Sequence, residues 1–179
     1  DAATVTFNDY PNAASNPQPA SLSSGGLSFV ASGGSGDCSD CFFVVGNPTG
    51  SPFSALGVTT VSNGTVILGV ASPNGSSIIV TSPGTTFSLS SVDLDKAVVN
   101  DAPLIAMGGS LRNATTINVV GTVLGGGTVV ATFTLNGGTA FQTFTFPAEW
   151  QNLVSVKFTS NNDGTFGATA TNNGIFAMD

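Results

Sequence analysis

Thr128-Val-Val-Ala-Thr-Phe-Thr-Leu135 decides the fold class, because Val129, Ala131, Phe133 and Leu135 alternate there with Thr128, Val130, Thr132 and Thr134. Successive side chains of a strand point to opposite faces, so the stretch reads as a strand that buries one face and wets the other. Turn sequences bound it, Gly125-Gly126-Gly127 before and Asn136-Gly137-Gly138 after. Outward along the chain the same device recurs. Val154, Val156 and Phe158 alternate with Ser155, Lys157 and Thr159; Leu27 and Phe29 repeat it, and Val5 and Phe7 do so against Thr4, Thr6 and Asn8. Residues 66–70 and 78–80 lack alternation and read as strands covered on both faces, or as strands whose outer face meets a partner.

Further turn signals stand at Asn63-Gly64, Asn74-Gly75, Pro83-Gly84, Asp163-Gly164 and Asn173-Gly174. Between Phe87 and Leu94 the apolar parity changes: Phe87 and Leu89 are odd, Val92 and Leu94 even. A bulge or corner near Ser90-Ser91 would restore the buried face. Residues 8–26, with Pro11, Pro17 and Pro19, read as a long surface loop. No helical periodicity stands out. The pattern predicts an all-β chain, an antiparallel two-sheet β-sandwich of jelly-roll type, with residues 1–179 forming a single domain.

The composition narrows the function. The chain has no histidine, three Lys+Arg against ten Asp+Glu, and a net charge of −7. Without imidazole, Ser-His-Asp and Cys-His nucleophile systems cannot be built, and zinc, copper and non-haem iron lose their commonest ligand. The negative charge opposes phosphate, which argues against nucleic-acid partners. No apolar run approaches the ~20 residues of a membrane helix, so membrane insertion is not expected. Charged residues are 7% of the chain, against the roughly 25% usual for soluble domains, a balance that suits an extracellular β protein. The start at Asp1 reads as a mature form after signal-peptide removal, and secretion is the expectation.

Asp37-Cys38-Ser39-Asp40-Cys41 allows a disulfide, half a metal site or a redox pair. The strand-like Phe42-Phe43-Val44-Val45 that follows is unlike the helix that lowers a redox thiol's pKa, which favours a Cys38–Cys41 disulfide. So small a loop would contribute only about 2 kcal/mol. Asn63, Asn74 and Asn113 each open an Asn-x-Ser/Thr glycosylation sequence, although Asn63-Gly and Asn74-Gly are equally turn formers.

Three segments carry a family resemblance: Val5-Thr-Phe-Asn-Asp9 with Gly25-Gly-Leu-Ser-Phe29, Thr86-Phe-Ser-Leu-Ser-Ser-Val-Asp-Leu94, and Leu153-Val-Ser-Val-Lys-Phe158 leading to Gly174-Ile-Phe-Ala-Met-Asp179. They resemble secreted β-sandwich proteins of fungi and PEP-CTERM-type bacterial exoproteins, whose jelly roll is similar to galactose-binding-like and carbohydrate-binding modules. The resemblance implies a glycan or cell-wall polysaccharide as partner and no cofactor. It also implies a structural calcium where the terminal strands meet, for which Asp9 and Asp179 are the ligands expected here. Asp93, Asp95 and Asp101 form a second acidic group. Members usually continue past the terminal Phe-Ala-Met-Asp and carry more loop aromatics, whereas this chain has one Trp and one Tyr.

Sugar recognition uses flat aromatic faces together with carboxylates and amides. Trp150, with the sole glutamate Glu149 beside it, and Tyr10 are the candidates, set against Trp150 as a cap on the sandwich end. Ala148-Glu-Trp150 also occurs in glutamic peptidases, but the short tail after Glu149 and the scarcity of Trp and Tyr do not fit their cleft. No enzymatic activity is expected. Two functions follow: a non-catalytic extracellular carbohydrate-binding or adhesion domain, and a structural protein that forms a homo-oligomer or filament by strand addition at the ends of the chain.

Overall fold

A computed structural model describes residues 4–7, 21–32, 42–46, 67–71, 77–96, 112–136, 140–161 and 174–179. The described residues form strands, turns and extended segments, with no helix among them. The strands are β1 Ser21–Ser24, β2 Leu27–Ser32, β3 Phe42–Gly46, β4 Ile67–Ala71, β5 Ser77–Thr81 and β6 Ser91–Lys96, followed by β7 Arg112–Asn113, β8 Thr116–Val123, β9 Thr128–Thr134, β10 Gln142–Thr145, β11 Leu153–Asn161 and β12 Gly174–Met178. They form two antiparallel sheets, ordered β1-β2-β5-β11-β8-β9 and β10-β6-β12-β4-β3, with the short β7 joined to β12 by a parallel bridge. Consecutive strands share a sheet at β1–β2, β3–β4 and β8–β9, β7 joins the sheet that holds β6, and the other connections pass from one sheet to the other. Burial of both inner faces makes this a β-sandwich.

The inner faces supply the core. Ile78, Val80, Ile117, Val119, Val156 and Phe158 of the first sheet pack with Val92, Leu94, Phe176 and Met178 of the second. β9 alternates as its sequence predicts, exposed at even positions and half-buried at odd ones. In β11, however, the register shifts between Leu153 and Ser155, so Leu153 is buried and Val154 only half-buried, ahead of Val156 and Phe158. A bulge displaces side-chain parity by one residue, which strict alternation cannot foresee. The parity change at Ser90-Ser91 is a corner: Phe87 bridges Leu153 of the first sheet, and β6 then begins at Ser91 in the second.

Two other expectations are corrected. The loop expected over residues 8–26 ends earlier, because Ser21–Ser24 is a strand hairpinned to β2 through Gly25 and Gly26. Both glycines have positive φ, 57° and 79°, as a two-residue hairpin turn requires. Ser-Leu-Ser-Ser holds one apolar residue, too few to show a period. Nor do residues 4–7 form a strand: Phe7 takes φ 49° and turns its ring edge-on to Phe29, with centroids 5.0 Å apart. Left-handed backbone costs an L-residue about 1–2 kcal/mol. Near-complete burial of the Phe7 ring offsets it.

Cross-strand registers place the outer residues of the first sheet in rows. Ser23, Ser28, Thr81, Ser155, Thr122 and Thr128 lie side by side across all its strands. The adjacent row is Ser21, Val30, Ile79, Lys157, Val120 and Val130. β-branched residues suit this pleated, half-wet surface, and hydroxyls keep it solvated with Lys157 as its one charge.

Candidate functional site: a cleft beside Trp150

A cleft of about 860 Å³ opens at the corner end of the sandwich. Three segments wall it: Thr4 to Phe7, the corner from Thr86 to Asp93, and the loop from Phe146 to Gln151. Backbone hydrogen bonds hold the last two together, with Leu89 N donating to Trp150 O at 3.0 Å and Phe146 N to Ser90 O at 2.9 Å. The loop closes on itself through Trp150 N to Pro147 O, 3.1 Å, so Ala148 and Glu149 are the central residues of the turn.

Trp150 is 1% exposed. Its ring lies 4.5 Å from that of Phe146, tilted by 48°, and Phe146 in turn meets Phe133 edge-on at 5.2 Å. Room for the indole comes from Gly121 of β8, where an added Cβ would stand 3.1 Å from Trp150 Cζ3 and 2.9 Å from Leu153 Cδ2. Trp150 therefore caps the core and offers the cleft only part of its surface. An exposed stacking platform, the sugar-binding role expected for it, is not what the structure builds. Glu149 is exposed on its turn and does not line the cleft. The residues that sequence patterns missed are Phe87 and Leu89, half-buried in the wall, and the exposed Ser88, Ser90, Ser91 and Gln151 beside them. The parity change at the corner was their one signal.

Asp93 and Asp179 complete the lining. They face each other across β6 and β12, with Asp179 N donating to Asp93 O at 3.0 Å and Asp93 N to Asp179 O at 3.3 Å. β12 lies between β6 and β4 in the middle of its sheet, laddered on both sides, so among the described residues the last strand presents no open edge for strand addition. Asp95, on the same face of β6, is wholly buried: Oδ1 accepts from Lys96 N at 2.7 Å, while Oδ2 has no hydrogen-bond partner. Burial pushes its pKa up, against the opposing pulls of the Lys96 amide and the Lys96 charge.

Among the described residues no group of three or more acidic or thiol side chains is placed to hold a metal. Of the expected calcium ligands, Asp179 is described, whereas Asp9 lies outside the described residues, as does Asp101. Tyr10, Cys38, Cys41, Asn63 and Asn74 also lie outside them. Asn113 is half-buried in β7, opposite Ile175.

The architecture defines an all-β sandwich domain. Solved structures of similar architecture include a DUF4465 family protein from Bacteroides caccae ATCC 43185, 16% identical with a TM-score of 0.53, covering 100% of this chain and 91% of that one. A DUF4465 family protein from Bacteroides ovatus ATCC 8483 is 8% identical with a TM-score of 0.33, covering 100% and 92%. At 16% identity the likeness to the first is one of fold alone. No protein-family model matches the sequence, and no curated protein matches it.

Proposed function

We propose that the protein is a non-catalytic extracellular domain that binds carbohydrate, in a cell-wall or matrix setting, through the cleft beside Trp150. The observation that carries this reading is the mixture of chemistries in one concavity of about 860 Å³. The half-buried Phe87 and Leu89 give an apolar wall for sugar C–H faces, backed by the buried Trp150, while Ser88, Ser90, Ser91 and Gln151 offer hydroxyl and amide partners for sugar hydroxyls. A volume in the range of roughly 300 to 1,000 Å³ suits a short oligosaccharide. The absence of histidine from the whole chain favours binding over chemistry. The exoprotein-like terminal segments, Val5-Thr-Phe-Asn-Asp9 and Gly174-Ile-Phe-Ala-Met-Asp179, support an extracellular setting.

Because Trp150 is the sole tryptophan, any change in indole emission arises at this one position, at the back of the cleft. Titration with soluble cell-wall oligosaccharides is expected to shift that emission saturably. Gln151→Ala combined with Ser90→Ala, both at exposed positions, should weaken the response by about tenfold, in line with the loss of two hydrogen bonds. Indole emission that ignores a panel of neutral and acidic glycans would defeat the proposal.

A further inference from the structure

We propose that the chain pairs with a second copy of itself through the free side of β9, extending the six-stranded sheet across the dimer. In the order β1-β2-β5-β11-β8-β9 this strand is the last, and among the described residues it is laddered on one side only, to β8. The other outermost strands are β1 with 4 residues, β10 with 4 and β3 with 5, whereas β9 has 7. Exposed sheet edges are ordinarily blunted by shortness, charge, proline or a bulge. β9 has none of these: its sequence is Thr-Val-Val-Ala-Thr-Phe-Thr, and its register with β8 runs without a shift from Thr128 to Thr134.

Two further observations identify the partner as a like copy. Exposed apolar surface concentrates on the same hairpin, with Val130 71% exposed, Leu124 64% and Val120 39%. Charge is also absent there. No Asp, Glu, Lys or Arg occurs from Asn113 to Ala148, although the whole chain carries −7. Two copies of so acidic a molecule repel wherever their carboxylates approach, and this uncharged hairpin offers the least repulsion. A two-fold axis through Ala131 would set Thr128 opposite Thr134, Val129 opposite Phe133 and Val130 opposite Thr132. Such β-branched and aromatic cross-strand pairs are favourable, and a two-fold contact closes without leading to a polymer. This surface replaces the chain ends as the site of strand addition, since β12 is central in its sheet and residues 4–7 lie in neither sheet.

The test is the mass of the full chain in solution, by sedimentation across a wide concentration range, with amide exchange followed at low and high concentration. A concentration-dependent dimer is expected, with added protection confined to β9. Val130→Lys places a cation at a wet position near the axis and should weaken association by at least tenfold; Val30→Lys, the same change on the outer face of β2, should leave it unaltered. A chain that is monomeric throughout, an equal response to the two variants, or added protection at another surface would overturn the proposal. The cleft's fluorescence response to glycans is read separately, so loss of dimerisation and loss of glycan binding are distinguishable outcomes.

Discussion

The six strands of the first sheet carry one charged side chain, Lys157, whereas β6 of the facing sheet alone carries Asp93, Asp95 and Lys96, with Asp179 directly across from Asp93. The outer rows of the first sheet are mostly hydroxyls and short aliphatics, and those whose burial is described are exposed or half-exposed apart from Ser77. On the second sheet, Asp95 and Ala177, paired across β6 and β12, have no exposed surface at all. One sheet thus keeps a surface with a single charge, Lys157, in water, and the other takes a carboxylate out of it. Solvation of a hydroxyl row demands little, since each group bonds water or a neighbour, as Thr132 Oγ1 does with Asn118 Oδ1 at 2.9 Å. A buried carboxylate with one unpartnered oxygen carries a desolvation penalty that only its neighbours can offset.

The contrast can be broken most forcefully where the sheets are joined. Trp150→Ala removes the cap that fills the space over Gly121 and beside Phe146, and should lower unfolding stability by about 3–5 kcal/mol, measured by denaturant titration. A loss below about 1 kcal/mol would show that the indole does not anchor the core. A smaller effect is expected on the acidic sheet. Because the folded state holds the Asp95 proton more tightly than the unfolded chain, stability contributed by protonated Asp95 is lost as pH rises from the ordinary carboxylate range through its raised pKa. Asp95→Asn should accordingly be more stable than wild type at neutral pH and show a flatter stability profile above pH ~4; an unchanged profile would mean that Lys96 fully compensates the burial. Smallest of all, Thr132→Ala on the hydroxyl face should change stability by no more than about 0.5 kcal/mol, despite losing its bond to Asn118. A larger loss would mean that the outer rows contribute to folding as well as to solubility.

β9, the inward Val156 and Phe158, and the corner at Ser90-Ser91 were legible in the sequence because each follows from strand parity, a local property of the chain. Parity is also why Ser21–Ser24 and the bulge after Leu153 were not legible: one strand has a single apolar residue, and the other shifts its register midway. For the candidate site the sequence offered Trp150 as an unusual residue but could not say whether its ring faced water or core. Gly121, 29 positions earlier, decides that by leaving room for the ring.

By itself, then, the sequence determined the all-β class, the sandwich, and the unsuitability of imidazole-based chemistry, since alternation and composition act residue by residue. Only the tertiary structure decided that the last strand is central, that among the described residues β9 holds the longest open edge, and that the corner and the Phe146–Gln151 loop enclose a cleft. Strand order and concavity arise from contacts between segments far apart in the chain, and such pairings leave no periodic trace in the segments they join.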